Sequence, residues 1–245
     1  MALHVKKERR EFMQYSTLGI LGLVLGGGFF VAPYLKADEK RLRPPGAIRE
    51  DLFLSLCIKC GQCLQVCPYH SIHLADFAKG YGMGTPYIQA RNRGCYLCGA
   101  LPCILACPTG ALDHHTEKPE DVKMGIAVLA SPKICLAVTR MPVPKKSIER
   151  IHNHPYTREV EKEMLQKLSA FEGKPCSICA DMCPLPNPLS AIEMVTTEMG
   201  IRKPLVKSGC VGCGACEELC PAEKAAIIIM PRENYESFYE KGTIS

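Results

Sequence analysis

The chain has 245 residues, enough for one or two domains, and 16 of them are cysteine. Its formal net charge of +5 is not concentrated in a basic face interleaved with aromatic residues, so the composition does not favour a nucleic-acid-binding protein. Tryptophan is absent and only 7 residues are phenylalanine, so each domain would have a small side-chain core that needs another source of stability.

Residues 1–37 have the features of an export signal. The pair Arg9-Arg10 is followed by a short, glycine-rich apolar stretch over residues 18–32, a pattern typical of twin-arginine signals. The best cleavage site, after Ala37, lacks the usual small residue three positions earlier, and the uncleaved stretch is close to the shortest length that spans a membrane. We expect a periplasmic protein whose N-terminal segment is either removed or kept as an inner-membrane anchor.

The cysteines form four groups, and each group ends in Cys-Pro. The first and fourth groups share the spacing C-x2-C-x2-C-x3-C-P and comprise Cys57, Cys60, Cys63, Cys67 and Cys210, Cys213, Cys216, Cys220. The second group has the spacing C-x2-C-x4-C-x3-C-P and comprises Cys95, Cys98, Cys103 and Cys107. The third comprises Cys176, Cys179 and Cys183, with the distant Cys135 as the candidate fourth member.

This spacing is the known ligand pattern of bacterial [4Fe–4S] ferredoxins. A tight C-x2-C-x2-C loop can place three sulfurs around one cluster, and the fourth cysteine then faces a neighbouring cluster. The proline after it lacks an N–H donor and favours the turn that follows. Each group also precedes a small residue and an aliphatic one, an internal repeat seen at Ser71-Ile72, Ala111-Leu112, Ala191-Ile192 and Ala226-Ile227. We therefore predict four [4Fe–4S] clusters with all sixteen cysteines as iron ligands.

Other uses of cysteine fit this pattern less well. An exported protein often forms disulfides, but three cysteines within one short loop are awkward to bridge. Structural zinc uses pairs of C-x2-C, and the third cysteine of the loop and the trailing Cys-Pro have no role there. Covalent haem requires C-x-x-C-H, and no C-x-x-C in this chain is followed by histidine.

The predicted fold class is α+β, with two ferredoxin-like halves of the bacterial two-cluster type built from short helices and strands. Groups one and two define a first half over residues 38–122, and groups three and four define a second half over residues 123–245. Residues 86–90 have the composition of a short strand, and the apolar residues 121–130 predict a buried element joining the halves.

The third group contains an insertion, residues 136–175, where the other groups need only two residues. Residues 141–146 predict a loop, and residues 157–171 predict a helix that ends before Gly173. The apolar face of this helix comprises Val160, Met164, Leu165 and Leu168. We expect the insertion to pack on the protein surface or against a partner, with docking on its own domain favoured.

Over nearly its whole length the chain resembles the MauM/NapG family of periplasmic ferredoxin-type proteins. The matching features are Arg9-Arg10, residues 41–48, the first two cysteine groups, residues 125–129 and the fourth group. That family places a lone cysteine shortly before a C-x2-C-x3-C-P run, which supports Cys135 as the fourth ligand of the third group. The long insertion is a departure from the usual members.

The resemblance implies electron transfer from a membrane quinol-oxidising subunit to a periplasmic reductase or cytochrome, the reductase being nitrate reductase in the NapG case. The mechanism would be one-electron hopping through four clusters, with no substrate chemistry in this chain. Accordingly we assign no catalytic residue, and the sequence has no Walker or dinucleotide-binding motif in a suitable context.

Two pairings of the cysteine groups remain open. In adjacent pairing, Cys67 would serve the cluster of the second group and Cys107 that of the first, as in a two-cluster ferredoxin. In nested pairing, group one joins group four and group two joins group three, which is similar to the iron–sulfur subunits of molybdenum oxidoreductases. The alternative function is therefore the electron-conducting subunit of a molybdopterin oxidoreductase complex. Adjacent pairing is the favoured prediction.

Overall fold

The computed structural model describes residues 41–76, 82–153 and 162–232, together with Gly22. The predicted signal or anchor in residues 1–37 lies outside the described residues apart from Gly22. Within the part of the chain that is described, none of the helices has the length and apolar character needed to cross a membrane.

The chain divides into two compact units. The first comprises Met1–Glu39 and Ala75–Gly84, and its few described residues include Gly84, whose amide donates a hydrogen bond to the carbonyl of Ala75 at 2.7 Å. The second unit comprises Lys40–Leu74 and Thr85–Ser245 and contains all four cysteine groups. Both predicted halves therefore belong largely to one compact unit.

Short elements separate the cysteines of the first half. The helices are α1 (Glu50–Leu56), α2 (Gln62–Gln65) and α3 (Pro102–Leu105), and a 3₁₀ turn follows at Pro119–Asp121. The strands β1 (Ile72–Leu74) and β2 (Pro86–Ile88) pair antiparallel, with Ile72 opposite Ile88 and Leu74 opposite Pro86. The strand predicted near residues 86–90 is confirmed over its first three residues.

The second half contains more strand. Its strands are β3 (Gly125–Leu129), β4 (Ile192–Thr196), β5 (Arg202–Val206) and β6 (Ile227–Pro231). Its helices are α4 (Lys145–His152), α5 (Lys162–Ser169), α6 (Ile178–Asp181) and α7 (Ala215–Glu218), with 3₁₀ turns at Pro132–Ile134 and Pro188–Ser190. Strand β3 pairs antiparallel with β6, and β4 pairs antiparallel with β5. The mixed helix and strand content confirms the α+β prediction.

The apolar stretch at residues 121–130 has a different role from the one predicted. It forms β3, in which Ile126 and Ala127 are buried, but its pairing partner β6 belongs to the same half. The contacts that join the halves come from the second and fourth cysteine groups and from Arg91 and Arg93 beside them. Burial of this stretch is as predicted, whereas the joining role is not observed, because an apolar run shows that a strand is buried and does not identify its neighbour.

Residues 41–48 lie extended along the first half and hold it to α1. Leu42 bridges to Ile88 and Ala47 to Leu112. The guanidinium of Arg43 is buried, donates to the Glu50 carboxylate of α1 at 2.8 Å and lies 4.7 Å from the centre of the Phe53 ring. Because this cation is paired and hydrogen-bonded, its burial beside an aromatic ring is tolerated.

The insertion folds as two packed helices, α4 and α5, closed at the base by a bridge between Pro142 and Pro175. Of the helix predicted over residues 157–171, the part from Lys162 to Ser169 is observed as α5. Residues 157–161, which include Val160 of the predicted apolar face, lie outside the described residues. Within α5, Leu165 and Leu168 are buried as predicted. Helix α4 was not predicted, because it begins at Lys145, within residues expected to form a loop. Pro144 is compatible with this helix, since a residue at the helix start needs no N–H donor within the helix.

The core is shared between side chains and cysteines. The large side chains that are fully buried include Phe53, Ile104, Leu112, Ile126, Leu168, Ile178 and Leu219. Eight cysteines are buried in the same contiguous cluster, which extends through both halves and into the insertion. The small apolar core expected from composition is therefore completed by the residues that would bind metal.

Leu168→Ala is expected to lower the free energy of unfolding by about 2–5 kcal/mol, because it leaves a cavity where a fully buried side chain packs. Chemical denaturation of the purified chain measures this change. Lys167→Ala on the exposed face of α5 is the control and should change stability very little. Equal effects of the two substitutions would mean that α5 is not packed as described.

Candidate iron–sulfur sites

Each cysteine group folds into a loop followed by a four-residue helix. In the first group Lys59 and Gly61 have positive φ values of 60° and 75°, and in the fourth group Gly212 and Gly214 have 69° and 91° at the equivalent positions. These left-handed residues turn the backbone on either side of the second cysteine. The third cysteine then lies in the first turn of helix α2 or α7.

In the first half the cysteines converge at two cavities. Site A is the first of these, and it is lined by Cys57, Cys60, Cys63 and Cys107. Site B is the second, and it is lined by Cys67, Cys95, Cys98 and Cys103. The last cysteine of each group thus joins the other group's site, and the packing of α2 against α3 holds the two groups together.

The second half repeats this exchange. Site D lies around a third cavity, which is lined by Cys135, Cys176, Cys179 and Cys220. The remaining four cysteines, Cys183, Cys210, Cys213 and Cys216, form site C. After burial, the neighbouring thiolates of Cys210 and Cys183 raise the pKa of Cys213. Cys135 is thus placed with the third group, across the whole insertion. The geometry is that of adjacent pairing in both halves, and the nested arrangement is absent from these described groups.

The donor sets fit a cubane better than a single metal ion. Tetrahedral zinc holds its sulfurs at about 2.3 Å, which brings them within roughly 4 Å of one another. Among the described residues, no three His, Cys, Asp or Glu side chains are close enough for such a site. In each of sites A, B and D, the four cysteines instead surround a cavity whose other lining residues are largely apolar.

Hydrogen bonds to sulfur explain the small-then-aliphatic repeat. The Ser71 amide donates to Cys67 Sγ and the Ala226 amide to Cys220 Sγ, both at 3.4 Å. At Cys107, burial raises the thiol pKa, but hydrogen bonds from Leu112, Thr109 and Ala111 outweigh it and leave the pKa below its ordinary value. A small buried residue lets the amide approach the sulfur, and such bonds tune a bound cluster.

The third group departs from this rule. The Ala191 amide donates to the carbonyl of Pro188 at 2.9 Å, although Ala191 is as buried as its counterparts. The small residue of the repeat is therefore buried in all four groups. Its amide donates a hydrogen bond to the last cysteine of the group in three of them. Ile72, Leu112, Ile192 and Ile227, the aliphatic residues of the repeat, are all buried and continue into a strand or a bridge.

Burial keeps most of the free thiols protonated. Burial and the neighbouring Cys57 thiolate raise the pKa of Cys63 to about 11, and burial and the Cys67 thiolate raise that of Cys103 to about 12. Burial is also the main cause that raises the pKa of Cys176 to about 11. Iron binds thiolate, so loading these sites releases protons and compensates the repulsion among buried sulfurs.

Sites B and C meet where the two halves join. The Cys95 amide donates to the carbonyl of Cys213 at 2.7 Å, and Cys95 forms a parallel bridge with Gly214. A Cβ on Gly94 would lie 2.6 Å from the Ala215 nitrogen, so only glycine permits this backbone approach. Cysteines of two sites are therefore separated by a single hydrogen-bonded backbone contact.

A buried ion pair fixes this junction. Arg93 and Glu218 are 3.2 Å apart, and their side chains are 3% and 5% exposed. Glu218 also accepts from the Gly94 amide at 2.6 Å, and Arg93 donates to the carbonyl of Tyr69 at 2.9 Å. Burial raises the pKa of Glu218, while the Gly94 amide and Arg93 oppose that rise. Sequence reasoning missed both residues, although charges inside cysteine-rich loops are a signal that could have found them.

The contacts place the four sites in the order A, B, C, D. Sites A and B share the first half, and the Cys63 thiolate of site A contributes to the raised pKa of Cys103 in site B. Sites C and D share the second half, and the Cys179 thiolate of site D contributes to the raised pKa of Cys216 in site C. Of the sixteen cysteines, which all belong to the described residues, Cys60 of site A is the one that is exposed.

Comparison with known proteins agrees with this class of site. Residues 56–111 match the family model described as a 4Fe-4S dicluster domain, and residues 210–225 match a 4Fe-4S binding domain. Fold, cysteine geometry and these matches define a ferredoxin-type electron-transfer protein that carries [4Fe–4S] clusters. No solved structure matches the chain.

Relatives of similar length identify the family. The chain is 34% identical to the methylamine utilization ferredoxin-type protein MauM of Methylorubrum extorquens, over 95% of this chain and 93% of that protein. It is 36% identical to the ferredoxin-type protein NapG of Escherichia coli K12, over 91% of this chain and 85% of that protein. The MauM of Paracoccus denitrificans is 34% identical over 93% and 89%. The chain belongs to the MauM/NapG family of ferredoxin-type proteins.

Arg93→Ala is expected to lower the free energy of unfolding by about 3–5 kcal/mol, because it leaves the Glu218 carboxylate buried without its cation. Denaturation of the anaerobically purified, iron-loaded chain measures the loss. The matched control is Arg49→Ala, which removes an exposed pair with Asp51 and should leave stability nearly unchanged. A small effect of Arg93→Ala would show that the junction does not depend on the pair.

Removal of iron by a chelator under reducing conditions is expected to unfold the described domains, since the cysteines are part of the core and their ligation stabilises the fold. Loss of far-ultraviolet circular dichroism should follow iron loss with the same time course. A chain that kept its secondary structure and cooperative unfolding after all iron had been removed would contradict this expectation.

Proposed function

We propose that the sixteen cysteines hold four [4Fe–4S] clusters, one in each of sites A to D, and that the chain conducts electrons along this series. The observation that carries the proposal is the order of the sites, in which each neighbouring pair is joined by an exchanged cysteine or by the Cys95–Cys213 backbone contact. Bound clusters would supply one-electron transfer. The protein's residues bury the sulfurs, donate hydrogen bonds to them and fix the distances between sites.

We assign residues 38–122 to the first half, with sites A and B, and residues 123–245 to the second, with sites C and D. The pairing of β3 with β6 inside the second half supports this boundary. Residues 1–37 are proposed to direct the folded protein to the periplasm as a twin-arginine signal that is either cleaved or retained as an anchor.

The physiological reaction we propose is electron transfer from a membrane quinol-oxidising subunit to a periplasmic reductase or cytochrome. Site A is the end at which one partner is expected to dock, because Cys60 is exposed and the neighbouring Ile58 side chain is 63% exposed. Adjacent pairing of the cysteine groups supports this carrier role over the molybdopterin-complex alternative, for which nested pairing would be expected.

Iron analysis combined with cysteine substitutions tests the proposal. Anaerobically purified protein should contain about sixteen irons and sixteen sulfides per chain, four of each for every cluster. Cys57→Ala combined with Cys107→Ala should remove about four irons, because both residues belong to site A. Cys98→Ala combined with Cys107→Ala should remove about eight, because they belong to different sites. Many fewer than sixteen irons in the unsubstituted chain would contradict the four-cluster proposal.

A pull-down from gently solubilised membranes tests the partner. A polytopic subunit with a quinone site supports the proposed carrier, whereas co-purification with a large molybdenum subunit supports the alternative. Ile58→Asp should weaken the capture of a partner that docks at site A without changing iron content. The control is Leu189→Asp in the second half, where the side chain is 65% exposed.

A further inference from the structure

Two arginines converge on the loop that presents Cys220 to site D. We use the name Cys220 turn for residues 217–223, which comprise the end of helix α7 and the loop after it, and which include the last carbonyls of that helix. The Arg91 guanidinium donates to the carbonyls of Glu217 at 2.9 Å, Cys220 at 3.0 Å and Ala222 at 2.7 Å. The turn is therefore held by a cation from the first half.

The second arginine comes from the insertion. Arg150 of α4 donates to the Cys220 carbonyl at 2.9 Å, and Ser147, one turn earlier, donates to the Pro221 carbonyl at 2.7 Å. Helix α4 thus docks on the chain's own domain. The Cys220 carbonyl therefore accepts hydrogen bonds from two guanidinium groups.

The surroundings make these charges effective. Cys220, Pro221 and Ala222 are all buried, so the field of a nearby cation is screened less than it would be in water. The Glu218 carboxylate beside them is already paired with Arg93. Burial and the neighbouring Arg91 lower the pKa of Arg150, and the Cys220 thiolate and the Glu223 carboxylate oppose that change, as expected for groups this close. An arginine guanidinium carries a fixed positive charge under physiological conditions.

We propose that Arg150 and Arg91 raise the reduction potential of the cluster at site D, and that the insertion helix α4 serves to place Arg150 on the Cys220 turn. Reduction adds one negative charge to the cluster and its thiolates, and a fixed cation in a weakly screened environment stabilises the more negative state. Site D is thereby a better electron acceptor than it would be without the two cations. This inference rests on the proposed four-cluster function.

The test is an anaerobic redox titration of the full iron-loaded chain, followed by electron paramagnetic resonance. The site D signal is identified by its loss in Cys135→Ala, since Cys135 belongs to that site. Arg150→Gln should retain its iron, because Arg91 still holds the turn, and should shift the potential of site D to a more negative value while the other three stay unchanged. Arg150→Lys, which keeps the charge, should stay close to the unsubstituted protein.

Lys145→Gln is the matched control. It removes one positive charge from the same helix at an exposed position, roughly 140° around the axis from Arg150 at 3.6 residues per turn. An unchanged site D potential in Arg150→Gln, or an equal shift in Lys145→Gln or Arg150→Lys, would overturn the proposal.

If Arg150→Gln loses iron, a second variant tests the effect of charge on the potential of site D. Glu223→Gln removes a carboxylate from the exposed end of the same turn and should shift the site D potential in the opposite, positive direction. A negative shift or none would overturn the inference. Fewer than about sixteen irons in the unsubstituted chain would instead contradict the proposed function on which the inference rests.

Discussion

Four sulfurs must reach each site, and every cysteine group supplies three to one site and its last cysteine to another. Neither site of a half can therefore be completed by one group, and the two loops must fold together. The packing of α2 on α3 and of α6 on α7 follows from this requirement. The proline after the last cysteine and the small residue beyond it direct the chain into the turn that carries the sulfur across. The rest of the fold is a thin layer of short strands and helices around these loops.

The junction between halves meets a different constraint. Sites B and C approach through the backbone of Cys95 and Cys213, and this closeness requires glycine at Gly94 and Gly214. The ion pair of Arg93 with Glu218 is costly to bury, because both charges lose their hydration. The Gly94 amide and the Tyr69 carbonyl add hydrogen bonds to the pair, which offset part of this cost and orient the two side chains at the junction.

The environment of the sulfurs changes along the series. Site A has an exposed cysteine, Cys60, together with Cys107, whose sulfur accepts several amide hydrogen bonds. Site D is enclosed by apolar residues and by the Cys220 turn, on which Arg91 and Arg150 converge. Exposure, hydrogen bonds to sulfur and nearby charge are the means by which a protein tunes an iron–sulfur cluster. The insertion interrupts the third group in the sequence, and in the structure it contributes the nearby charge of Arg150.

Much of the site was determined by sequence alone, because cysteine spacing within a loop is a short-range property. The four groups, the small-then-aliphatic repeat, the α+β class, the strand at Pro86–Ile88 and the family all follow from residues close together in the chain. Spacing could not decide which group pairs with which, how the sites are ordered, or that β3 pairs with β6 in its own half. It also missed α4, whose burial depends on a turn 70 residues away. These features depend on contacts between distant segments, and only the tertiary structure decides which of the sterically possible contacts is made.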